Sequence, residues 1–417
     1  MVRKKVLFLK VLIGLAVFML IAGCNPAAAK KLLVGTLSSV SAEASTETGF
    51  SSLADEQLDG YDLGLKKEVT RYHLTQANEG NLSDDVQSVV REMIEENEVA
   101  ALLGATTNEA TRRAASLANF FNVPMIIPAA DGDTLLPSNN MWVFQLNAPS
   151  SAYAEYVFGN VLSKINVSAA STEDESALII RLAIVYEENT FGESAAVATA
   201  HTAMDQNIEI VYYGSYTPDV GDAREIKTLA ENVVSNEADL IYIVSSNPAD
   251  AALITSALDT EFGAGLTPAI LGQGNGFTSL EFQEAVNSDH LYVIRQALDA
   301  ETCPEKIDSI QKAQVYAAAY LLEAAILETD TSMPRQKLFS TEDQLTIRRE
   351  KIRDALKELN IEVPCLGQVS FDNNGQIKEN NFEIFRVQAG ETHLIDAPGF
   401  RSLVLEIAGR DELIITD

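Results

Sequence analysis

Residues 99–115 read V-A-A-L-L-G-A-T-T-N-E-A-T-R-R-A-A, and P-M-I-I-P-A-A follows at 124–130. About 140 residues later, A-D-L-I-Y-I-V-S-S-N-P-A-D-A-A-L-I (238–254) and P-A-I-L-G-Q-G (268–274) repeat the plan. Each unit is a continuous apolar strand, a loop of hydroxyl and Asn residues, an Ala-rich helix, a proline-initiated strand and a loop of small residues. Strands without a polar face are buried on both sides, which is the condition of a parallel sheet covered by helices. Two copies of one unit predict two lobes of like topology.

The same alternation extends outward in both directions. K-L-L-V-G-T-L (31–37) is strand-like, and Val86, Val89, Val90, Met93 and Ile94 form the stripe of a helix that Ser83 opens. W-V-F-Q-L (142–146) predicts a strand, followed by a helix over 152–164 and the strand L-A-I-V-Y (182–186). A helix over 192–205, a strand over 208–213 and a helix over 223–235 lead into the second unit. N-V-S-A-A-S-T-E-D-E-S (166–176) reads as a solvated insertion. Toward the C-terminus, Q-V-S-F-D-N-N-G-Q-I-K-E-N-N-F-E-I-F-R-V predicts a hairpin about its D-N-N-G turn. The class is α/β, and ligands of such sheets sit beyond the carboxyl ends of the strands.

The 417 residues suffice for two domain-sized cores, and 47% hydrophobic with 22% charged residues is an ordinary globular balance. Thirty basic against sixty acidic residues leave a net charge of −30. That surface repels phosphate backbones, so nucleic acid is excluded as an expected partner.

The N-terminus reads as a separate module. M-V-R-K-K precedes an apolar run from Val6 to Ala22, broken only by Lys10 and ending in I-A-G-C at Cys24. A positive start, a short apolar stretch and small residues mark a secretory signal peptide over residues 1–23. A spanning helix is the rival, but 17 residues with an internal lysine fall short of the roughly 20 a bilayer needs. Its removal takes away Arg3, Lys4, Lys5 and Lys10 and no acid, so the mature chain is more acidic still. Cys303 and Cys365 then remain, and outside the cytoplasm they are either bridged or two buried thiols. His73, His201, His290 and His393 lie far apart, so no metal site and no cofactor are expected.

G-Q-G-N-G-F (272–277) lacks the third glycine of a dinucleotide fingerprint and follows a late strand. The chain carries no G-x-S-x-G elbow, H-E-x-x-H pair or P-loop, so catalysis is not expected.

The passages L-L-G-A-T-T-N-E-A-T, V-P-M-I-I-P-A-A, W-V-F-Q-L-N-A-P-S, L-A-I-V-Y-E-E-N-T-F-G, A-D-L-I-Y-I-V-S-S-N-P-A-D-A-A and G-Q-V-S-F-D-N-N-G carry a family likeness. Their order resembles that of the type I periplasmic solute-binding proteins, in the Leu/Ile/Val-binding branch that serves ABC importers. The resemblance implies two lobes, each a mostly parallel sheet flanked by helices, joined by three hinge crossings and closing on a small solute. It places residues 24–148 with 300–364 in the first lobe, and 149–299 with 365–417 in the second. It also makes I-A-G-C similar to a lipobox, with Cys24 lipidated and the protein tethered outside the cytoplasm beside a membrane permease. A monomer is the expected state.

An amino acid needs donors for its carboxylate and acceptors for its ammonium. A helix N-terminus suits the carboxylate, which points to Thr106, Thr107 and Asn108. The resemblance assigns the ammonium to the Ala129 carbonyl, with Ala130 keeping the backbone approachable; tight packing of both alanines is the alternative. Asp131 stands where the family carries Thr or Ser, and a carboxylate there repels a ligand carboxylate unless protonated or paired. Either Asp131 meets a cationic or amide-like group, or Asp131 or Asp133 caps the T-L-L-P turn that follows. Phe191 and Asn247 replace tyrosines frequent in the family, and Gly274 replaces an acid, leaving Gln273 and Asn275 as neutral partners. The expected clamshell thus closes Phe191, Asn247 and 272–276 over a solute whose identity these departures leave open, an amino acid or a related amide. A sensor signalling to a membrane receptor, or a degenerate binder, is the competing role.

Overall fold

The structure, a computed structural model, describes residues 32–38, 72–78, 83–105, 107–163, 180–218, 223–263, 266–299, 301–307, 309–332, 342–388 and 390–407. The expected signal peptide over residues 1–23, Cys24, Thr106 and the expected insertion at 166–176 lie outside them. No helix among the described residues is long and apolar enough to cross a membrane.

The first lobe is a five-stranded parallel sheet in the order β2-β1-β3-β4-β5. Its strands are β1 (Leu32–Ser38), β2 (Tyr72–Asn78), β3 (Ala101–Leu103), β4 (Met125–Ile127) and β5 (Val143–Gln145). Helices α1 (Ser83–Arg91) and α2 (Asn108–Phe120) cover one face. Ala110, Ala114, Ala115 and Ala118 of α2 are buried against that face, and their small side chains let the helix lie close to it. The other face packs on two late helices, α9 (Ile310–Ser332) and α10 (Glu342–Glu358), through Val315, Leu321, Leu322 and Leu356. This is the double cover that apolar strands require.

The second lobe holds a seven-stranded sheet in the order β14-β13-β10-β9-β8-β6-β7. Strands β6 (Arg181–Glu187), β7 (Glu209–Tyr216), β8 (Leu240–Val244), β9 (Ala269–Gln273) and β10 (Leu291–Gln296) run parallel. At one edge β13 (Phe382–Gln388) and β14 (Glu391–Ile395) add antiparallel pairs. One face is covered by α3 (Ser150–Ala154), which continues through a wider π-type segment to Leu162, by α4 (Thr190–Asp205) and by α11 (Ala397–Ile407). The opposite face packs on α5 (Ala223–Ser235), α6 (Pro248–Phe262) and two short helices, α7 (Asn275–Thr278) and α8 (Leu280–Ala285).

The chain passes between the cores three times. Leu146 packs in the first and Ala148 in the second; Ile294 lies in the second and Val315 in the first; Ile377 lies in the first and Ile384 in the second. The third crossing therefore falls between Ile377 and Phe382, later than residue 365, since Val369, Phe371 and Ile377 all pack beneath the first sheet. The D-N-N-G turn forms, with Gly375 N–H donating to Asp372 O at 3.1 Å and Phe371 bridged to Ile377. The expected long hairpin does not. Its first arm, β12 (Gly367–Ser370), pairs with β11 (Asn360–Val363), while its second arm, β13, crosses into the other sheet. Apolar burial on two different sheets outweighs the local turn. Cys303 and Cys365 are joined by a disulfide across 62 residues, beside a small cluster of Ala313, Tyr316 and Leu298.

Candidate functional site

A cavity of about 440 Å³ lies between the lobes at the carboxyl ends of both sheets. Its first-lobe wall comes from the start of α2, the loop after β4 and the first turn of α9; its second-lobe wall comes from the ends of β6, β9 and β10 and the start of α4.

In the first lobe the local sequence fixes Asp131. Thr107 caps α2, its hydroxyl accepting from Ala110 N–H at 3.4 Å, which leaves Asn108 as the first helical residue. The Asn108 Oδ1 accepts from the backbone N–H of Asp131 at 3.1 Å and of Gly132 at 3.2 Å. Its Nδ2 donates to Asp131 Oδ1 at 3.4 Å. The amide thus clamps both the backbone and the carboxyl of the loop. Asp131 is 8% exposed, and burial pushes its pKa up to about 7 despite the hydrogen bonds from Asn108 and its own backbone. Ala129 and Ala130 line the cavity, but the Ala129 carbonyl already accepts from Asn147 Nδ2 at 2.5 Å and the Ala130 carbonyl from Gln145 Nε2 at 3.4 Å.

Asp131 is also one of the points where the lobes touch. Gln273 at the end of β9 donates from Nε2 to Asp131 Oδ2 at 3.4 Å. Its orientation follows from the other end of the amide, because Tyr242 O–H donates to Gln273 Oε1. Burial raises the Tyr242 pKa, so the phenol stays protonated and the Gln273 amino group is turned toward the carboxyl. Asp133 does not cap T-L-L-P. It accepts instead from Ser151 N–H at 3.0 Å in the first turn of α3, because the loop passes that helix's free N–H groups. It meets Ser194 of α4 at 3.4 Å.

The second-lobe wall departs further from expectation. Asn189 caps α4, accepting from Gly192 N–H at 2.9 Å and donating to Glu187 at 2.8 Å. Phe191 lines the cavity and leans over Gly274, where an added Cβ would lie 2.8 Å from the ring. Gly274 has φ +105°, a conformation that glycine adopts freely. Asn275 lines the cavity and accepts from Gln311 of α9 at 2.7 Å. Asn247 does not line it: its side chain accepts from Ala249 N–H at 2.8 Å and caps α6, leaving its neighbour Ser246 at the wall.

The sequence reading missed Asn147, Tyr153, Glu187, Gln296, Gln311 and Gln314, all of which line the cavity. The strand-end rule identifies three of these, since Glu187 and Gln296 close β6 and β10 and Asn147 follows β5. No local signal marks Gln311 or Gln314, which arrive on a helix whose remainder packs under the first sheet.

Among the described lining residues the charged groups are Glu109, Asp131, Glu187 and Arg295. Glu109 is paired with Arg112 and Arg113, each at 2.9 Å, and accepts from Thr190 across the cleft at 3.3 Å. Arg295 faces Glu383 at 3.6 Å and stacks over Phe385, 4.1 Å from the ring centroid. Glu187 is fully buried, which raises its pKa, and accepts from Ser246 N–H at 2.8 Å and Ser246 O–H at 2.9 Å. No group of three or more His, Cys, Asp or Glu among the described residues is placed to hold a metal ion.

Amides, hydroxyls and a few charged groups line the space, and the two lobes share its wall. The family described as receptor family ligand binding region matches residues 55–390. The chain belongs to this family. It is 25% identical over 217 residues to the Leu/Ile/Val-binding protein BraC3 of Rhizobium johnstonii, an overlap of 51% of this chain and 55% of that one. The chain thus spans about half the length of this curated relative. The fold is that of the leucine binding protein LivK from Thermotoga maritima MSB8, at TM-score 0.67 and 14% identity, covering 88% of this chain and 98% of that one. It is also that of the substrate binding protein LivJ of Streptococcus pneumoniae in complex with isoleucine, at TM-score 0.62 and 17% identity, covering 88% and 99%. A solute binding protein of R. palustris in complex with benzoate matches at TM-score 0.66 and 14% identity, covering 88% and 95%. The fold is the type I periplasmic binding protein fold.

Proposed function

We propose that this chain is an extracytoplasmic solute-binding protein of an ABC importer. It takes a small amino acid-like solute, a branched-chain amino acid or a related amide, between its lobes. The observation that carries the reading is the cavity of about 440 Å³ walled from both lobes, within the roughly 300–1,000 Å³ usual for small ligands. Hydrogen bonds that cross it, Asp131–Gln273, Glu109–Thr190 and Asn275–Gln311, support closure by hinge motion. The relative BraC3 and the LivK and LivJ neighbours support an amino acid-like ligand, while the benzoate complex supports a wider range for the fold.

The finer parts rest on the sequence. Residues 1–23 are a signal peptide, Cys24 carries the lipid that holds the protein at the membrane, and the partner is a permease rather than nucleic acid. The protein acts as a monomer without cofactor, its lobes those expected at 24–148 with 300–364 and 149–299 with 365–417, with the last boundary moved to about residue 380 by the packing of the two cores. Phe191, Gln273, Gly274 and Asn275 close over the solute from the second lobe, facing Thr107, Asn108 and Ala129–Asp131 of the first.

Native mass spectrometry of the purified protein tests the reading. We expect a co-purifying small molecule, or a raised melting temperature with an amino acid, amide, polyamine or nucleoside; a ligand at about 100 times its dissociation constant adds about 2.7 kcal/mol. Neither a bound molecule nor a shift across that panel overturns it in favour of a cleft that binds nothing.

A further inference from the structure

The first turn of α2 is where an ordinary amino acid ligand would leave its carboxylate, because free N–H groups and the helix dipole favour negative charge there. In this chain the Asp131 carboxyl is held beside that turn by the Asn108 side chain. Asn108, the first residue of α2, grips the Asp131 loop by three hydrogen bonds, and the Asp131 carboxyl turns into the cavity. We propose that Asp131 takes the place of the ligand's carboxylate, so that the cavity receives a cationic, amine-bearing solute without a free carboxylate, such as an amino acid amide or a small alkylamine. The proposal rests on the solute-binding reading and specifies its ligand.

Three observations support it. The donors that reach Asp131 from side chains, Asn108 Nδ2 and Gln273 Nε2, are neutral and each stand 3.4 Å away, so the carboxyl has capacity for a closer, charged donor. Arg295, the cation of the described wall, already faces Glu383 and calls for no ligand anion. The other buried carboxyl, Glu187, is likewise held by amide and hydroxyl groups, so acids outnumber cations on the described wall three to one. A burial-raised Asp131 carboxyl accords with a site left uncompensated until its ligand arrives.

Four probes of one carbon skeleton separate the charges: leucine, leucinamide, 3-methylbutylamine and 4-methylpentanoate. Isothermal titration is expected to give leucinamide and 3-methylbutylamine at least tenfold tighter binding than leucine, and no binding of 4-methylpentanoate. Asp131→Asn is expected to weaken both amines at least tenfold and to strengthen leucine, with Asp133→Asn as the control that leaves the ranking unchanged. Leucine binding more tightly than leucinamide, or amine binding indifferent to Asp131→Asn in a variant with unchanged circular dichroism, overturns the proposal and leaves solute binding standing. Failure of all four, with no co-purifying molecule, overturns both.

Discussion

In the first lobe the loop after β4 brings a carboxyl, Asp131, to the cleft; in the second, the matching end of β9 turns a carboxamide, Gln273, toward it. Both loops end the same strand–loop–helix–strand unit, and both units start their helix with a side-chain cap, Thr107 on α2 and Asn247 on α6. The backbone plan is shared and the chemistry is not. One unit supplies a group whose charge depends on pH and on a partner, and the other supplies a donor whose direction Tyr242 fixes. Duplicated topology thus yields a wall on which one side sets ligand charge and the other sets hydrogen-bond direction.

The largest effect expected on this asymmetry comes from Asp131→Asn. The native carboxyl titrates near 7 against 3.8 for the free group, so the folded state holds the proton more tightly than the unfolded one. The Asp131 contribution to stability is therefore fully present below about pH 4, falls as pH rises toward 7 and stays lost above it, by about 4 kcal/mol at the upper limit. The nearby Asp133 charge adds to the rise; Tyr153 and Tyr242 stay neutral because burial raises them, and Asn108 and Gln273 do not titrate. Urea unfolding of the ligand-free protein should find Asp131→Asn more stable than wild type at pH 8 and equal to it at pH 4. A difference independent of pH breaks the contrast between the two loops. Saturating 3-methylbutylamine should narrow the pH 8 gap, since the cation restores the wild-type carboxylate.

Next in size is a substitution on the other side. At Gly274, φ is +105° and an added Cβ would stand 2.4 Å from the Ser245 carbonyl, whereas Ala130 occupies the equivalent loop of the first lobe with its Cβ in place. Gly274→Ala is expected to cost about 3 kcal/mol, from left-handed strain and backbone contact together. Ala130→Gly should cost about 1 kcal/mol, through lost burial and added chain entropy. Denaturation midpoints at fixed slope give both values. Similar costs for the two would mean that the loops are equivalent after all.

Most of the fold follows from periodicity and proline-started strands: every strand expected between residues 99 and 271 is present, with shifts of a few residues at its ends. The exception is informative. Q-V-S-F-D-N-N-G-Q-I carries a sound turn and alternating arms, yet its arms serve different lobes because each finds a larger apolar surface there than the other arm offers. The site was legible where a helix N-terminus or strand end defined it, as at Asn108, Asp131 and Gln273. Asn247 misled, since Asn before Pro reads equally as a loop ligand and a helix cap, and only its 2.8 Å bond to Ala249 decides. Gln311 and Gln314 were illegible because the helix that carries them reaches the cavity only through the second hinge crossing.

The smallest effects sharpen the comparison most finely, because they separate structural from ligand-facing roles within matched positions. Asn247 caps α6 at 2.8 Å and stands away from the cavity; Thr107 caps α2 at 3.4 Å, is exposed, and lines it. Asn247→Ala should therefore lower stability by about 1 kcal/mol, within the usual range for losing a cap, and leave ligand affinity unchanged. Thr107→Ala should lower stability by about 0.5 kcal/mol, since the bond is long and water can replace it, yet weaken affinity if the cavity that Thr107 lines is the solute site. Urea titration and calorimetry on the two variants give four numbers that must cross: the variant worse for stability is the one harmless to binding. If Asn247→Ala also weakens binding, closure depends on the position of α6, and the second lobe contributes more to ligand recognition than its wall residues imply.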